Sequence, residues 1–288
     1  MAYAKILAPL CGGPGDDVVL ATAFLLAKPF NAHVEALFSY PDPRQAIPAT
    51  DPIISPTIVQ EIVDAVEAAR KTASKAARAA LAQAAGDAGV KIVSSPERGG
   101  MVTASYRELC GHLEETIPTA AQLADIVVFP PMTGDEEPDA HEAFVRTLTK
   151  SGRPVVLCAG RAPKTIGTKI AVGWDGRQAA ANALAGAMPL LEAGGTVHIV
   201  AVTKAPYGGH TLAEARDYLA LHGIRTTQAV VEDTKASPGE LLLRTAKADG
   251  CDLLVCGGYG HSRTLETIFG GATAYLTSHA DIPILMVH

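Results

Sequence analysis

The residues best suited to chemistry lie between positions 257 and 273, in the sequence GGYGHSRTLETIFGGAT. Glycines at positions 257, 258 and 260 allow the backbone to turn with positive φ and to expose its N–H groups. Gly270 and Gly271 leave the first amides of a following helix open to an anion, which the helix dipole also attracts. The stretch follows CDLLVC, an apolar run typical of a strand buried on both faces of a parallel sheet, and precedes an amphipathic segment at 272–279. The sequence therefore predicts a strand, a phosphate-binding loop and a helix.

The spacing of the glycines separates this loop from other nucleotide motifs. No Gly-Lys-Ser/Thr follows them, as a Walker A loop requires, and the G-x-G-x-x-G of a dinucleotide fold is absent. Two residues separate Gly257 from Gly260, and nine separate Gly260 from Gly270. A tight strand-to-helix turn, in which the glycines serve only packing, stays the alternative to phosphate binding.

This glycine pattern, with ADGCDLLVCGGYG before it and TSHADIPILMVH after it, resembles the universal stress protein family over the whole C-terminal half. The resemblance implies an adenine nucleotide as ligand, namely ATP with or without Mg²⁺. It also implies that Asp175 lies against the nucleoside and that the main chain of Val202 meets adenine. Gly271 departs from the Ser or Thr that ATP-binding members usually carry, so a hydroxyl donor is missing, whereas Thr273 matches a further hydroxyl position of the family.

The same residues also have plain structural interpretations. Asp175 and the glycine after it could form an ordinary turn with a helix cap, and Val202 could be a core residue. Arg263, inside the loop, could pair with phosphate oxygens or be solvated, and for His261 a solvated position is favoured.

The elements that must position these residues repeat along the chain. Apolar runs predict strands at KILAPL, HVEALFSY, KIVSS, ADIVVFP and RPVVLC, and again at KIAVGW, VHIVAVT, TTQAVV, CDLLVC and IPILMV. Helices are expected near residues 18–30, 57–85, 109–123, 141–151, 179–192, 211–222, 237–248 and 272–279. Asp16 or Asp17 could cap the first of them.

This order predicts an α/β protein of two tandem doubly wound parallel five-stranded sheets with helices on both faces. The resemblance adds that the fold is adenine nucleotide alpha hydrolase-like. The domains would be residues 1–160, a degenerate copy, and residues 161–288, which carry the glycine loop. Ligands of such sheets bind beyond the carboxyl ends of the strands, where the strand order reverses.

The first half keeps this scaffold without the site residues. Cys11 stands where the second half has Asp175, and PPMTG at 130–134 stands where it has the glycine loop. Prolines remove amide donors, and the acidic residues between 135 and 142 would repel an anion, so no nucleotide is expected there. A metal ion at His141 among these carboxylates is not expected, because exposed acidic loops are usually solvated. The resemblance implies that the last strands, VVLC and ILMV, join the halves as a pseudo-dimer.

Composition limits the remaining possibilities. The chain has 288 residues, of which 48% are hydrophobic, and lacks an apolar run long enough to cross a membrane. A strand-like run from Lys5 leaves no room for a secretory leader, and the five scattered cysteines are typical of reduced core thiols, so a cytoplasmic protein is expected. The formal charge of −6 argues against nucleic acid or an anionic membrane as main partner. The expected partners are a second copy of the chain, which gives a homodimer of tandem pseudo-dimers, and an unidentified protein.

No catalytic residue and no metal site are predicted. The sequence contains no nucleophile elbow, no HExxH, no kinase signature and no P-loop lysine, so at most slow ATP hydrolysis is expected. The two histidines of adenylyl transferases are missing from KILAPLCGG and KIAVGWDGR. The first hypothesis is therefore a stress-response regulator that binds ATP in its C-terminal domain and acts by occupancy. The alternative is a stress protein that binds no nucleotide and acts through protein or small-ligand interaction, which Gly271 favours.

Overall fold

A computed structural model describes residues 2–46, 55–96, 99–132, 138–202, 209–231, 235–259 and 271–288. The strands are β1 (Lys5–Leu10), β2 (His33–Tyr40), β3 (Lys91–Ile92), β4 (Thr103–Cys110), β5 (Ile126–Phe129), β6 (Val155–Leu157), β7 (Lys169–Trp174), β8 (Thr196–Ala201), β9 (Thr226–Val230), β10 (Leu253–Gly257) and β11 (Ile284–Val287). The α-helices are α1 (Asp16–Ala27), α2 (Pro56–Ala88), α3 (Leu113–Ala121), α4 (Pro138–Lys150), α5 (Gln178–Glu192), α6 (Leu212–Leu221), α7 (Pro238–Ala248) and α8 (Gly271–His279).

All of these strands form one sheet, in the order β3-β4-β2-β1-β5-β6-β11-β10-β7-β8-β9. Among the described strands, every neighbouring pair is parallel except β6 and β11, which pair antiparallel with Val156 opposite Leu285. The expected junction through the last strands of the two halves is therefore present. It fuses the two predicted sheets into one eleven-stranded sheet.

Helices cover both faces of the sheet, as the α/β prediction requires. Along β1, Ile6 and Ala8 point into the core formed with α1, α2, α5 and α6, whereas Leu7 points into the core formed with α3, α4, α7 and α8. These central strands are buried on both sides, which is why they are continuous apolar runs in the sequence.

The described residues of the first half form six strands, and the prediction of five there is wrong. The expected third strand at 91–95 is only the two-residue edge strand β3, and the expected helix at 109–123 begins at Leu113, because residues 103–110 form β4. One face of β4 makes polar contacts in place of apolar packing. Thr103 and Ser105 each lie 2.9 Å from a ring nitrogen of His33, and Arg107 pairs with Glu35 at 2.9 Å. This polar face hides the apolar alternation by which strands are recognised.

The long helix α2 is fixed against β4 by one carboxylate. Glu108 accepts hydrogen bonds from Ser74 at 2.6 Å and from Arg78 at 2.9 Å, and it also pairs with Arg70 at 3.2 Å. These contacts lower the pKa of Glu108, with the Ser74 hydrogen bond as the largest cause. They hold the middle of α2 beside the loop that follows β1.

Two further predictions concern the whole chain. All five cysteines are free thiols, but only Cys158, Cys251 and Cys256 are buried, so the prediction of core positions is wrong for Cys11 and Cys110. None of the helices that the structure describes combines the length and apolar character needed to cross a membrane.

Candidate functional site

The strand order of the second half reverses between β7 and β10. From β7 the chain moves outward through β8 to β9, and it then returns to the other side of β7 to form β10 and β11. These five strands are parallel, so their carboxyl ends share one edge of the sheet. Asp175 follows β7, Val202 follows β8 and Gly257 ends β10. The reversal is the position at which doubly wound sheets bind ligands.

Asp175 makes the turn that its plain interpretation predicts, but the helix cap in that interpretation is wrong, because the N-cap residue of α5 is Arg177. Its Oδ1 accepts a hydrogen bond from the Arg177 N–H at 3.0 Å. It follows β7, which pairs with β10. Burial, and to a lesser degree the Asp175 charge, raises the pKa of the Cys256 thiol in β10 to about 12. The turn holds the carboxylate at the reversal point. Val202, on the neighbouring strand end, is half-buried.

A segment that the sequence did not point to lies beside this turn. Trp174 Nε1 donates to the carbonyl oxygen of His210 at 3.1 Å, and the His210 N–H donates to the carbonyl of Gly176 at 2.9 Å. The residues before α6 therefore lie along the loop after β7. The one available signal is the only tryptophan of the chain, at the last position of a strand.

Gly257 and Gly258 are constrained by packing. A Cβ on Gly257 would lie 2.7 Å from the backbone carbonyl carbon of Ala179, in the first turn of α5. A Cβ on Gly258 would lie 2.8 Å from Leu148 Cδ2 in α4 of the first half. Neither glycine has a positive φ, so the prediction that they turn the backbone in that conformation is wrong. Close packing explains both glycines, and it is compatible with a ligand at the same edge.

The two ends of the glycine loop are joined by a hydrogen bond. The Tyr259 N–H donates to Thr273 Oγ1 at 3.3 Å, and Tyr259 adopts a left-handed conformation with φ 53°. Burial raises the pKa of its phenol to about 12. Thr273, predicted as a hydroxyl that faces the ligand, therefore uses its oxygen to connect α8 to the entry of the loop.

Three predicted site residues, Gly260, Arg263 and Gly270, lie outside the described residues, as does His261. Gly271 is the exposed first residue of α8, and among the described residues no atom would lie within 4 Å of a Cβ placed on it. The described part of the chain therefore leaves room at Gly271 for a side chain or for an anion.

The first half places its own carboxylate at the corresponding loop. The Oδ1 of Asp16 accepts from the Cys11 N–H at 3.0 Å, and its Oδ2 accepts from the Gly12 N–H at 2.8 Å. Asp16 is buried, which raises its pKa. Cys11 is exposed as a residue, but partial desolvation of its thiol and the charge of Asp16 raise the pKa of Cys11 to about 11. Asp16 makes no capping hydrogen bond, so its predicted role as a helix cap is wrong.

Helix α2 covers the same loop of the first half. Gly12 has φ 76°, and a Cβ there would lie 2.1 Å from the carbonyl oxygen of Ala73 in α2. Two amides that could meet an anion are therefore occupied by Asp16 and lie under a helix. This arrangement is a second reason, beside the acidic segment, against a nucleotide in the first half. Part of that acidic segment, residues 133–137, lies outside the described residues.

One group of ionisable residues in the described part of the chain has the spacing of metal ligands. Ligand atoms of His112, Glu114 and Asp139 lie within 4.8 Å of one another. Both carboxylates belong to the first turns of helices, α3 and α4, where the helix dipole stabilises negative charge without a cation. His141 is not a member of this group.

Comparison with known proteins identifies relatives of this arrangement. Residues 168–288 match the sequence model of the Universal stress protein family. A universal stress protein from Archaeoglobus fulgidus DSM 4304 is 15% identical, with 98% of this chain and 97% of that chain covered and a TM-score of 0.66. A protein from Pseudomonas aeruginosa UCBPP-PA14, assigned to the same family, is 15% identical, with 99% and 93% covered and a TM-score of 0.56.

A universal stress protein solved in complex with cAMP is 23% identical, with 42% of this chain and 96% of that chain covered and a TM-score of 0.35. No protein with a curated description matches the chain in sequence. The first two structures establish that the fold extends over both halves of the chain.

Proposed function

Because residues 168–288 form a domain of the universal stress protein family, we propose that this domain binds ATP or a related adenine nucleotide. It acts in a stress response by occupancy, without a need for turnover. The observation that carries the proposal is the strand reversal, which brings Asp175 and both ends of the glycine loop to one edge of the sheet.

In this proposal the nucleoside lies against Asp175 and the main chain of Val202. The phosphates lie against the amides of the loop, from Gly257 and Gly260 to Gly270 and Gly271, with Arg263 as a cationic partner and Thr273 as support. The exposed Gly271 at the start of α8 supports a phosphate there, because no described atom crowds its Cβ position and the positive end of a helix dipole lies beside it. A bound Mg²⁺ would neutralise part of the triphosphate charge.

The first half, residues 1–160, serves as a structural partner that binds no nucleotide. The contact of Leu148 with Gly258 supports this role, because it places a helix of the first half against the start of the glycine loop. The cytoplasm as location, a homodimer of whole chains and an unidentified protein partner belong to the same proposal.

A stress protein that binds no nucleotide is the second candidate. It is favoured by Gly271, which lacks the hydroxyl of ATP-binding relatives, and by the packing constraints on Gly257 and Gly258. In this case the domain acts through a protein or another small ligand.

Two measurements distinguish the candidates. Purified protein is denatured and the supernatant is analysed for adenine nucleotides, and the native protein is titrated calorimetrically with ATP and with adenosine. Asp175→Ala should weaken both ligands about tenfold, because a hydrogen bond to a charged group contributes ~1.5–3 kcal/mol. Asp217→Ala, which removes an exposed aspartate on α6, is the matched control. A wild-type protein that neither releases nucleotide nor binds ATP would favour the second candidate.

A further inference from the structure

The turn at Asp175 is bracketed by two hydrogen bonds to a single residue, His210. The carbonyl oxygen of His210 accepts from Trp174 Nε1 at 3.1 Å, and the His210 N–H donates to the carbonyl of Gly176 at 2.9 Å. His210 is therefore bonded to the residue before Asp175 and to the residue after it. These two bonds lie at the strand reversal, on either side of the carboxylate that the proposed function places against the nucleoside.

A different element holds each side of this bracket. Trp174 is the last residue of β7, is only 6% exposed and packs in the core formed with α1, α2, α5 and α6. On the other side, Thr211 is the N-cap of α6, where its hydroxyl accepts from the Glu214 N–H at 3.2 Å and its own N–H donates to the Glu214 carboxylate at 2.7 Å. This capping box fixes the backbone directly after His210. The bracket thus joins the end of β7 to the start of α6.

The Asp175 turn needs such support because it lies beyond the paired part of its strand. The register of β7 with β8 ends at Trp174, opposite Ala201. Gly176 has φ 76°, and a glycine next to the carboxylate allows the backbone many other conformations. A ligand that bound such a turn would have to order it first, which weakens binding. Bonds on both sides of Asp175 remove this cost before a ligand arrives.

We propose that Trp174 is a positioning residue for nucleoside binding, an inference that rests on the proposed function. Its indole N–H holds the His210 backbone, which holds the Gly176 carbonyl, and the Asp175 carboxylate is thereby kept in one position. The indole itself need not touch the nucleotide. Because adenosine and ATP share the nucleoside, Trp174 should affect the binding of both equally.

The test is a double-mutant cycle on the full chain, with the Kd for adenosine and for ATP measured by calorimetry. Trp174→Phe keeps an aromatic ring and removes the N–H, so it should raise both Kd values by the same factor, about three- to tenfold. In the Asp175→Ala background the same substitution should change neither Kd, because no carboxylate is left to be positioned. A general loosening of the domain would weaken binding in both backgrounds.

Tyr3→Phe is the matched control. Tyr3 is 5% exposed, and its hydroxyl donates to a backbone carbonyl, that of Gly186, at 2.6 Å. The control therefore also removes one hydrogen bond between a buried aromatic side chain and the backbone, at a distance from the Asp175 turn in the chain. It should leave both Kd values unchanged.

His210→Pro provides a second variant, which decides the question alone if Trp174→Phe does not fold. It removes the N–H that bonds to Gly176 and keeps the indole, and it should raise both Kd values only while Asp175 is present. Unchanged affinity in these variants, or an equal loss in the Asp175→Ala background or in Tyr3→Phe, would overturn the inference and leave the proposed function standing. A wild type that binds neither adenosine nor ATP would instead refute the proposed function, and the inference with it.

Discussion

Replacing Gly271 by serine should strengthen ATP binding, if the phosphates lie at the start of α8. The residue is exposed and begins the helix, and no atom of the residues that the structure describes lies within 4 Å of a would-be Cβ, so a side chain added there clashes with none of them. A hydroxyl that donates to a phosphate contributes ~1.5–3 kcal/mol, and the exposed position favours the lower end of this range. We therefore expect a Kd for ATP about tenfold lower than that of the wild type.

The assay is a calorimetric titration of wild type and Gly271→Ser with ATP and with adenosine. Adenosine affinity should not change, because adenosine has no phosphate for the hydroxyl to meet. Gly86→Ser is the matched control, since Gly86 also lies in an α-helix with nothing within 4 Å of its Cβ position. Equal ATP affinity in Gly271→Ser and wild type would refute the location of the phosphates at α8. A parallel gain for adenosine would refute the role of the hydroxyl.

Three further outcomes follow from contacts described above. Gly257→Ala should destabilise the protein by ~1–3 kcal/mol in urea unfolding, because its Cβ meets the backbone of Ala179, which cannot move aside as a side-chain end can; an unchanged midpoint would contradict this packing argument. Glu108→Gln should lower the free energy of unfolding at pH 7, because the pKa of Glu108 is lowered in the fold and its charged carboxylate therefore stabilises the fold. The difference from wild type should shrink as the pH falls below about 4.5, where the carboxylate becomes protonated. A difference that is independent of pH would exclude this cause. Asp16→Asn should speed alkylation of Cys11 at pH 8, because the Asp16 charge raises the pKa of the Cys11 thiol. The rate is measured by peptide mass spectrometry with Cys110, the other exposed cysteine, as internal standard. An unchanged rate would remove Asp16 as a cause of the raised pKa.

The second half could be predicted from its sequence almost element by element. Its strands other than the edge strand β9 are short apolar runs between turn residues, and the predicted bounds of its helices differ from the observed ones by no more than a residue at either end. In the first half, the sequence does not predict β4, because three of its eight side chains are polar and pair with His33 or Glu35 across the sheet, namely Thr103, Ser105 and Arg107. Polar pairing across strands leaves no periodic signal in a single sequence.

The candidate site was predictable where topology decides it. Asp175, Val202 and Gly257 share an edge because parallel strands align their carboxyl ends. The approach of Ala179 to Gly257, and of Ala73 to Gly12, depends on how helices pack across the sheet, and the sequence does not contain those distances. For the same reason Asp16 could not be distinguished from an ordinary helix cap before its two amide partners were known.

The antiparallel pairing of β6 with β11 joins two halves of a single chain, so the two halves need not have the same sequence. When two identical subunits meet about a twofold axis, the same surface of each subunit forms the contact, so every substitution occurs on both sides of the interface. A covalently linked pair is free of that constraint, and dilution cannot separate it. Each half can therefore specialise alone, as the first half has done by filling the loop after β1 with Asp16 beneath a long helix.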